Sequence, residues 1–149
     1  MSGSRPLDGA GTDATEGMPG PLIEPEGWPR GVGYAHGVVR PGRVLALAGQ
    51  IGWEPRTQQL VSGGFAAQCR QTFANIAALL RTAGARPEHM VRATWYITDG
   101  DAYLAARREI GAAWREHFGS HYPAMAVVVV AGLVERGALV EIEVTAVID

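Results

Sequence analysis

The C-terminal stretch from Tyr122 to Ile148 reads YPAMAVVVVAGLVERGALVEIEVTAVI and most constrains what this chain can fold into. Met125 to Ala131 is an almost unbroken apolar and mostly β-branched run, which is typical of a strand covered on both faces. Between 138 and 147 the residues alternate, so Glu141 and Glu143 share one face and apolar residues the other. Two such strands indicate a sheet with helices on one side. The second side is expected to be partly wet or shared with another subunit.

Composition narrows the class of protein. The 149 residues, 47% hydrophobic and 19% charged, suit a single globular domain with a full core. The net charge of -2 gives no general attraction to nucleic acid or to an anionic membrane, so neither partner is expected. A single cysteine allows no intrachain disulfide, and there is no signal pattern or apolar run of the ~18 residues that span a bilayer. We therefore predict a cytoplasmic location.

The chain divides by composition near residue 28. Residues 1–27 are rich in Gly, Pro, Ser and Thr, which predicts a flexible N-terminal tail, with Met1 to about Gly20 the loosest part. Leu22, Ile23 and Trp28 are candidates to pin the end of this tail to the surface. Residues 28–149 are then predicted to form one domain.

The domain is predicted to contain two strands, a helix, a strand, a helix and two strands. The first two strands are expected at Val32–Val39 and Val44–Gly49, and the third at Met90–Thr98. The helices are expected at Phe65–Ala83 and from Asp99 or Asp101 to about Phe118. This β-β-α-β-α-β-β order predicts an α+β sandwich with two helices on one face of a mixed sheet. One sheet face is then left uncovered in the monomer, and a symmetric oligomer is the simplest way to bury it.

Four short motifs occur in order along the domain. They are Ala-Gly-Gln-Ile-Gly at 48–52, Gln68-x-Arg-Gln-x-x-x-Asn75 in the first helix, Tyr-Pro-Ala at 122–124, and Gly-x-Leu-Val-Glu-Ile-Glu at 137–143. Together they resemble the RidA/YjgF/UK114 (Rid) family over about Gly31 to Ile148. The resemblance implies a chorismate-mutase-like fold and a homotrimer with a central β-barrel and three ligand pockets between subunits. It also implies deamination of reactive enamines and imines such as 2-aminoacrylate, without metal or cofactor.

The resemblance also implies which residues form the pocket of each subunit pair. Tyr34 matches the pocket tyrosine of the family. Gly49 matches the glycine whose backbone lies against the ligand, and Glu141 matches the carboxylate that positions water. These three positions are retained, so we expect Glu141 and Tyr34 to act on the substrate.

Three other positions depart from the family pattern. Met125 replaces the arginine that binds the substrate carboxylate, Ala48 replaces the usual serine, and Asp101 stands in place of a common asparagine. Methionine lacks both the charge and the paired N–H donors with which a guanidinium fits a carboxylate. The chain therefore resembles the branches without this arginine. We expect a substrate less anionic than 2-aminoacrylate, or one whose acid group is bound elsewhere.

Plainer interpretations remain open for the candidate residues. Glu141 is either an acid or base in the pocket or a strand carboxylate that faces solvent. The pocket is favoured, because a pair of glutamates on a covered sheet face is costly unless the carboxylates are hydrogen-bonded. Tyr34 is a pocket or an interface aromatic, Met125 lines the pocket or fills the core, and His36 is a proton carrier or a satisfied surface histidine. Cys69 lies on the apolar stripe of its helix and is predicted to be core.

Two functions of different class follow from these residues. The first is a small-molecule enzyme that hydrolyses or deaminates an imine or enamine. The second is a non-catalytic trimer that binds a small ligand or a partner. A metal site is not expected, because Gly119 breaks the helix that would align His117 with His121. Ribonuclease activity is disfavoured, since no basic stripe is present.

Overall fold

The computed structural model describes residues 22–149, and the predicted loose segment from Met1 to about Gly20 lies outside them. The helices and strands in chain order are β1 (Arg43–Ile51), β2 (Trp53–Glu54), β3 (Gln59–Leu60), α1 (Gly64–Thr82), β4 (Met90–Ile97), α2 (Gly100–Phe118), β5 (Ala124–Val129) and β6 (Val140–Ile148). A short 3-10 turn at Pro87–His89 leads into β4. Among residues 22–149, no helix is both long enough and apolar enough to span a membrane.

One mixed sheet of four strands organises the domain, in the order β1-β6-β4-β5. β6 pairs antiparallel with β1 and with β4, while β4 and β5 run parallel because α2 carries the chain back between them. Both helices pack on one face of the sheet, so the predicted α+β sandwich is confirmed. β2 and β3 form a separate small hairpin that was not predicted.

The strand β6 carries the centre of the core. Val140, Ile142, Val144 and Ala146 are each no more than 3% exposed and contact the helices, as the alternation predicted. From the helices, Phe73 packs edge-on against the rings of Trp95, Trp114 and Phe118, with ring centroids 5.4 to 5.7 Å apart. Burying each large apolar side chain contributes on the order of 2 to 3 kcal/mol, so this cluster holds the two layers together.

Both helices begin and end within two residues of the predicted positions. The Asp99 side chain caps α2 by accepting hydrogen bonds from the backbone N–H groups of Asp101 (2.9 Å) and Ala102 (3.0 Å). Gly84 follows α1 with a φ of 72°, and the N–H of Ala85 donates to the carbonyl of Leu80 at 2.8 Å. This left-handed C-terminal turn is one that glycine adopts without strain.

The predicted strand from Val32 to Val39 is not a regular strand. Gly33 has a φ of 76°, which turns the backbone out of the extended conformation. Only Ala35 and Val38 form isolated bridges, to Ala124 and Leu22 respectively. The prediction of a strand at Val32–Val39 is therefore wrong.

The residues just before this segment contact it directly. The N–H of Ile23 donates to the carbonyl of Gly37 at 2.9 Å, and the rings of Trp28 and His36 meet edge to face at 5.3 Å. Leu22, Ile23 and Trp28 thus attach the end of the predicted tail to the domain. The boundary at residue 28 stays a prediction.

The strand β5 is exposed in the single chain, so residues 22–149 do not supply the expected cover on both faces of its apolar run. β5 is an edge strand, and Val127, Val128 and Val129 are 38%, 41% and 63% exposed. Its uniform β-branched sequence resembles that of a central strand. Any cover for β5 has to come from outside the described part of the chain.

Candidate functional site

The predicted site residues lie on opposite faces of the sheet. Met125 is paired in register with Ala93, which is fully buried against the helices, so Met125 faces the helix layer. Glu141 is paired with Tyr96 on the alternate face, away from the helices. Within one chain these two residues therefore cannot line the same pocket.

Tyr34 and Met125 come together in a cleft on the helix side of the sheet, which we call the helix-side cleft. It has a volume of about 410 Å³ and lies between α2, β5 and the loop at 32–34. Five aromatic residues contribute to its walls, namely Tyr34, Trp95, Tyr103, Trp114 and Tyr122. Met125 is half-buried here, so it lines the cleft and packs against the core at the same time.

The aromatic wall is held by ring stacking and by one hydrogen bond. The rings of Trp114 and Tyr122 stack with an interplanar angle of 11° and a centroid distance of 5.8 Å, and Trp95 stacks on Trp114 at 6.0 Å. The indole N–H of Trp114 donates to the carbonyl of His121 at 2.9 Å. Burial raises the pKa of Tyr103, although nearby Arg107 acts in the opposite direction. The cleft is thus a preformed surface for a flat or apolar group.

Gly49 and Glu141 come together in a second cavity, which we call the hairpin-side pocket. It has a volume of about 750 Å³ and lies between the paired ends of β1 and β6 and the β2–β3 hairpin. A bulge between Leu47 and Gln50 shifts the register of β1 here. A Cβ added to Gly49 would lie 2.9 Å from both Cδ and Cγ of Glu141, so only glycine lets the carboxylate take this position.

Two buried amides of α1 hold the loops around the hairpin-side pocket. Asn75 donates from Nδ2 to the carbonyls of Ile51 (3.2 Å) and Trp53 (2.9 Å). Gln68 donates to the carbonyl of Gly137 at 2.9 Å and accepts from the N–H of Leu139 at 2.8 Å. The Gln68 and Asn75 positions of the helical motif thereby fix the backbone that surrounds Glu141.

Glu143 has a partner inside the chain. Its Oε1 accepts a hydrogen bond of 2.9 Å from the hydroxyl of Tyr96, and this bond raises the pKa of that hydroxyl. Glu143 is exposed and does not line the hairpin-side pocket. Of the two glutamates on this face, Glu141 is the one beside the cavity.

The three remaining site candidates lie apart from both cavities. His36 donates from Nε2 to the carbonyl of Pro29 at 3.0 Å, and it lines a separate cavity of about 470 Å³ with Tyr34. Ala48 is exposed in the β1 bulge beside Gly49, and Asp101 is exposed in the first turn of α2. Neither Ala48 nor Asp101 lines the helix-side cleft or the hairpin-side pocket.

Two arginines at the helix-side cleft were missed in the sequence. Arg107 and Arg115 of α2 both line it, with Gly111 midway between them. Their spacing of eight residues, with a glycine at the fourth, places all three on one helix face and is the signal that could have found them.

Cys69 and the two spaced histidines take no part in either cavity. Cys69 is fully buried, and burial raises the pKa of its thiol to about 12, so the prediction that it belongs to the core is confirmed. His121 bonds through Nε2 to the carbonyl of Met90 at 2.8 Å. Within residues 22–149, no group of three or more His, Cys, Asp or Glu side chains is arranged to hold a metal ion.

The fold and its cavities define a small α+β sandwich protein with one cavity on the helix side of its sheet and another beside the hairpin. Comparison with known proteins gives the family. The family described as Endoribonuclease L-PSP matches residues 29–148, and solved relatives are named as members of the conserved Rid protein family. The chain belongs to this family.

Individual relatives agree with the family assignment over most of the chain. A human protein named 2-iminobutanoate/2-iminopropanoate deaminase is 31% identical over 119 residues, which are 80% of this chain and 83% of the human protein. The crystal structure of the Rid family protein YyfB from Yersinia pestis, described as of unknown function, matches with a TM-score of 0.77 and 34% identity, covering 88% of this chain and all (100%) of that one. RidA from the Antarctic bacterium Psychrobacter sp. matches with a TM-score of 0.62 and 32% identity, over 86% of this chain and 99% of the other.

Proposed function

We propose that this chain is a cofactor-independent enzyme that hydrolyses an imine or enamine of a small metabolite and releases ammonia. Support comes from relatives named as 2-iminobutanoate/2-iminopropanoate deaminases at 31–33% identity. The observation that carries the proposal is the Glu141 carboxylate held against the bare backbone of Gly49 at the wall of a cavity. A carboxylate in this position can exchange protons with a water molecule in the cavity.

The proposed site is assembled from two subunits of a homotrimer. Since Tyr34 and Met125 lie on one side of the sheet and Gly49 and Glu141 on the other, a site containing all four needs a second copy of the chain. The exposed valines of β5 and the uncovered sheet face offer the apolar area that such an assembly would bury. Each trimer would hold three equivalent sites.

The proposed reaction needs no group beyond water and side chains. Glu141 accepts a proton as the water oxygen bonds to the carbon of the C=N group, and the nitrogen is protonated to give a carbinolamine. Collapse of this intermediate breaks the C–N bond, releases ammonia and leaves a carbonyl compound. Tyr34 orients the substrate, and backbone N–H groups near Gly49 stabilise the developing charge.

Met125 sets the limit on which substrates are used. Without an arginine at this position, a small acid such as 2-aminoacrylate loses the paired hydrogen bonds that a guanidinium supplies. We therefore propose that hydrolysis of 2-aminoacrylate is weak or absent, and that His36, Ala48 and Asp101 contribute to the surroundings of the site rather than to bond breaking.

The test of this function compares Glu141→Gln with Glu143→Gln, which removes the neighbouring carboxylate from the same strand face. Ammonia release is measured with a panel of imines generated in the assay by an amino-acid oxidase. We expect Glu141→Gln to lower the rate by about 100-fold or more, because a positioned general base contributes about this much, and Glu143→Gln to keep most of it. Equal rates in the wild type and Glu141→Gln would exclude the proposal.

A non-catalytic trimer that binds a small ligand or a partner is the second candidate. Met125 favours it, because loss of the carboxylate-binding group would be tolerated in a protein that no longer turns substrate over. Saturable ligand binding with no ammonia release from any imine of the panel would support it. RNA cleavage is disfavoured, since a net charge of -2 gives RNA no general attraction.

A further inference from the structure

One face of α2 places two positive charges at the helix-side cleft. Arg107, Gly111 and Arg115 are spaced by four residues and all line the cleft. A Cβ added to Gly111 would lie 3.4 Å from Nη1 of Arg115, so that guanidinium lies along the part of the helix that carries no side chain. Arg115 therefore reaches back along α2 towards Arg107.

Neither arginine forms an ion pair with another residue in the described part of the chain. The ion pairs among residues 22–149 use Arg30, Arg40, Arg70 and Arg86, and none of them includes Arg107 or Arg115. The positive charge of Arg107 also opposes the rise in the pKa of Tyr103, which places that charge near the aromatic wall. Two uncompensated guanidinium groups at a concave surface favour an anion.

The rest of the cleft lining favours an apolar group. Trp95, Trp114 and Tyr122 form the stacked rings, and Met125 and Val127 continue this surface along β5. A ligand that contacts both the arginines and the rings has an acid group and an apolar or aromatic body. Because Arg107 and Arg115 lie on α2 and Met125 lies on β5, an acid held from α2 approaches from a different element than one held by an arginine at position 125.

We propose that Arg107, with Arg115 beside it, binds the carboxylate of imine or enamine acids that carry a bulky apolar or aromatic body. The substrate class rests on the proposed function, whereas the binding of such acids does not. Arg107 thus supplies from α2 the cationic contact that Met125 lacks on β5. A three-carbon acid lacks the apolar body that would contact the stacked rings.

Binding of stable probes separates this inference from catalysis. Trans-cinnamate and its uncharged amide are titrated against the full chain by calorimetry, with quenching of tryptophan fluorescence as a second signal. We expect the wild type to bind cinnamate about 10-fold or more tightly than the amide, as for a hydrogen bond to a charged group. Arg107→Met should remove this preference. Arg108→Met, which removes a neighbouring charge outside the cleft, should retain it, and Arg107→Lys should retain part of it.

The binding measurements have four informative outcomes. Equal affinity for the acid and the amide in the wild type, or an acid preference that survives Arg107→Met, overturns the inference. A changed oligomeric mass of Arg107→Met with unchanged cinnamate affinity assigns this guanidinium to a subunit contact and also overturns it. Preference for the acid without turnover of any imine leaves the inference standing and removes the proposed hydrolysis.

Discussion

Replacing Met125 with arginine tests the substrate argument at its most specific point. A paired, charged hydrogen bond to a carboxylate is worth on the order of 2 to 4 kcal/mol. Arg107 lines the same cleft, and repulsion between like charges near a protein surface, on the order of 1 kcal/mol, subtracts from this gain. The expected net gain is therefore about 1 to 3 kcal/mol, or roughly 5- to 150-fold in kcat/KM for 2-aminoacrylate.

The assay measures keto-acid release from 2-aminoacrylate that a second enzyme generates in place. We expect a low rate in the wild type and a raised rate in Met125→Arg. Met125→Leu serves as the matched control, because it keeps an apolar side chain of similar volume and adds no charge. The double variant Met125→Arg, Glu141→Gln should lose the gain, because the added arginine binds substrate but moves no proton.

Two results would refute the reasoning. A wild type that turns over 2-aminoacrylate as fast as an active relative, and is unaffected by Glu141→Gln, would show that the substrate argument and the choice of base are both wrong. A gain of equal size in Met125→Leu would show that the residue acts through packing and not through the charge at position 125.

Three further predictions concern assembly and stability. Native mass spectrometry should give three chains per particle, and a stable monomer would remove the shared site. Asn75→Ala should lower the free energy of unfolding, measured by chemical denaturation, by about 2 to 4 kcal/mol, because two backbone carbonyls lose their donor. Gln71→Ala is the control and should show a smaller change, because it loses only one half-exposed hydrogen bond to Asn75. Burial lowers the pKa of His89, and its neutral ring accepts a hydrogen bond from the N–H of Arg86. The stability that the neutral ring adds to the folded state is present above pH ~6.5 and is lost as the pH falls through the lowered pKa. The melting temperature of the wild type should thus drop between pH 7.5 and 5.5, and the melting temperature of a His89→Gln variant should drop less over the same range.

The elements that the sequence predicted well are those whose pattern depends on one covered face. The alternation of β6 places Ile142 and Val144 in the core, and the helical stripes place Phe73 and Trp114 there. In each case local periodicity and burial against the opposite layer agree. Cap residues such as Asp99 set the helix ends for equally local reasons.

The features that the sequence missed depend on backbone angles or on distant neighbours. Gly33 interrupts an apparent strand through a positive φ, which alternation does not register. The uniform valines of β5 resemble a central strand, although the sheet order makes it an edge. Arg107 was missed because only the packing of α2 against β5 shows that it meets Met125 at one cleft.

The open edge of β5 has a consequence for the life of the newly made chain. From Ala126 to Val129 the strand offers unpaired backbone groups and apolar side chains, with no proline and no charge to prevent another strand from adding. Only its first residue, Ala124, is covered, by the bridge to Ala35. If the chain assembles as proposed, a chain that has folded but not yet assembled is therefore the species most prone to aggregate. Yield during synthesis or refolding would then depend on how quickly chains meet in the correct arrangement, rather than on how stable each one is alone.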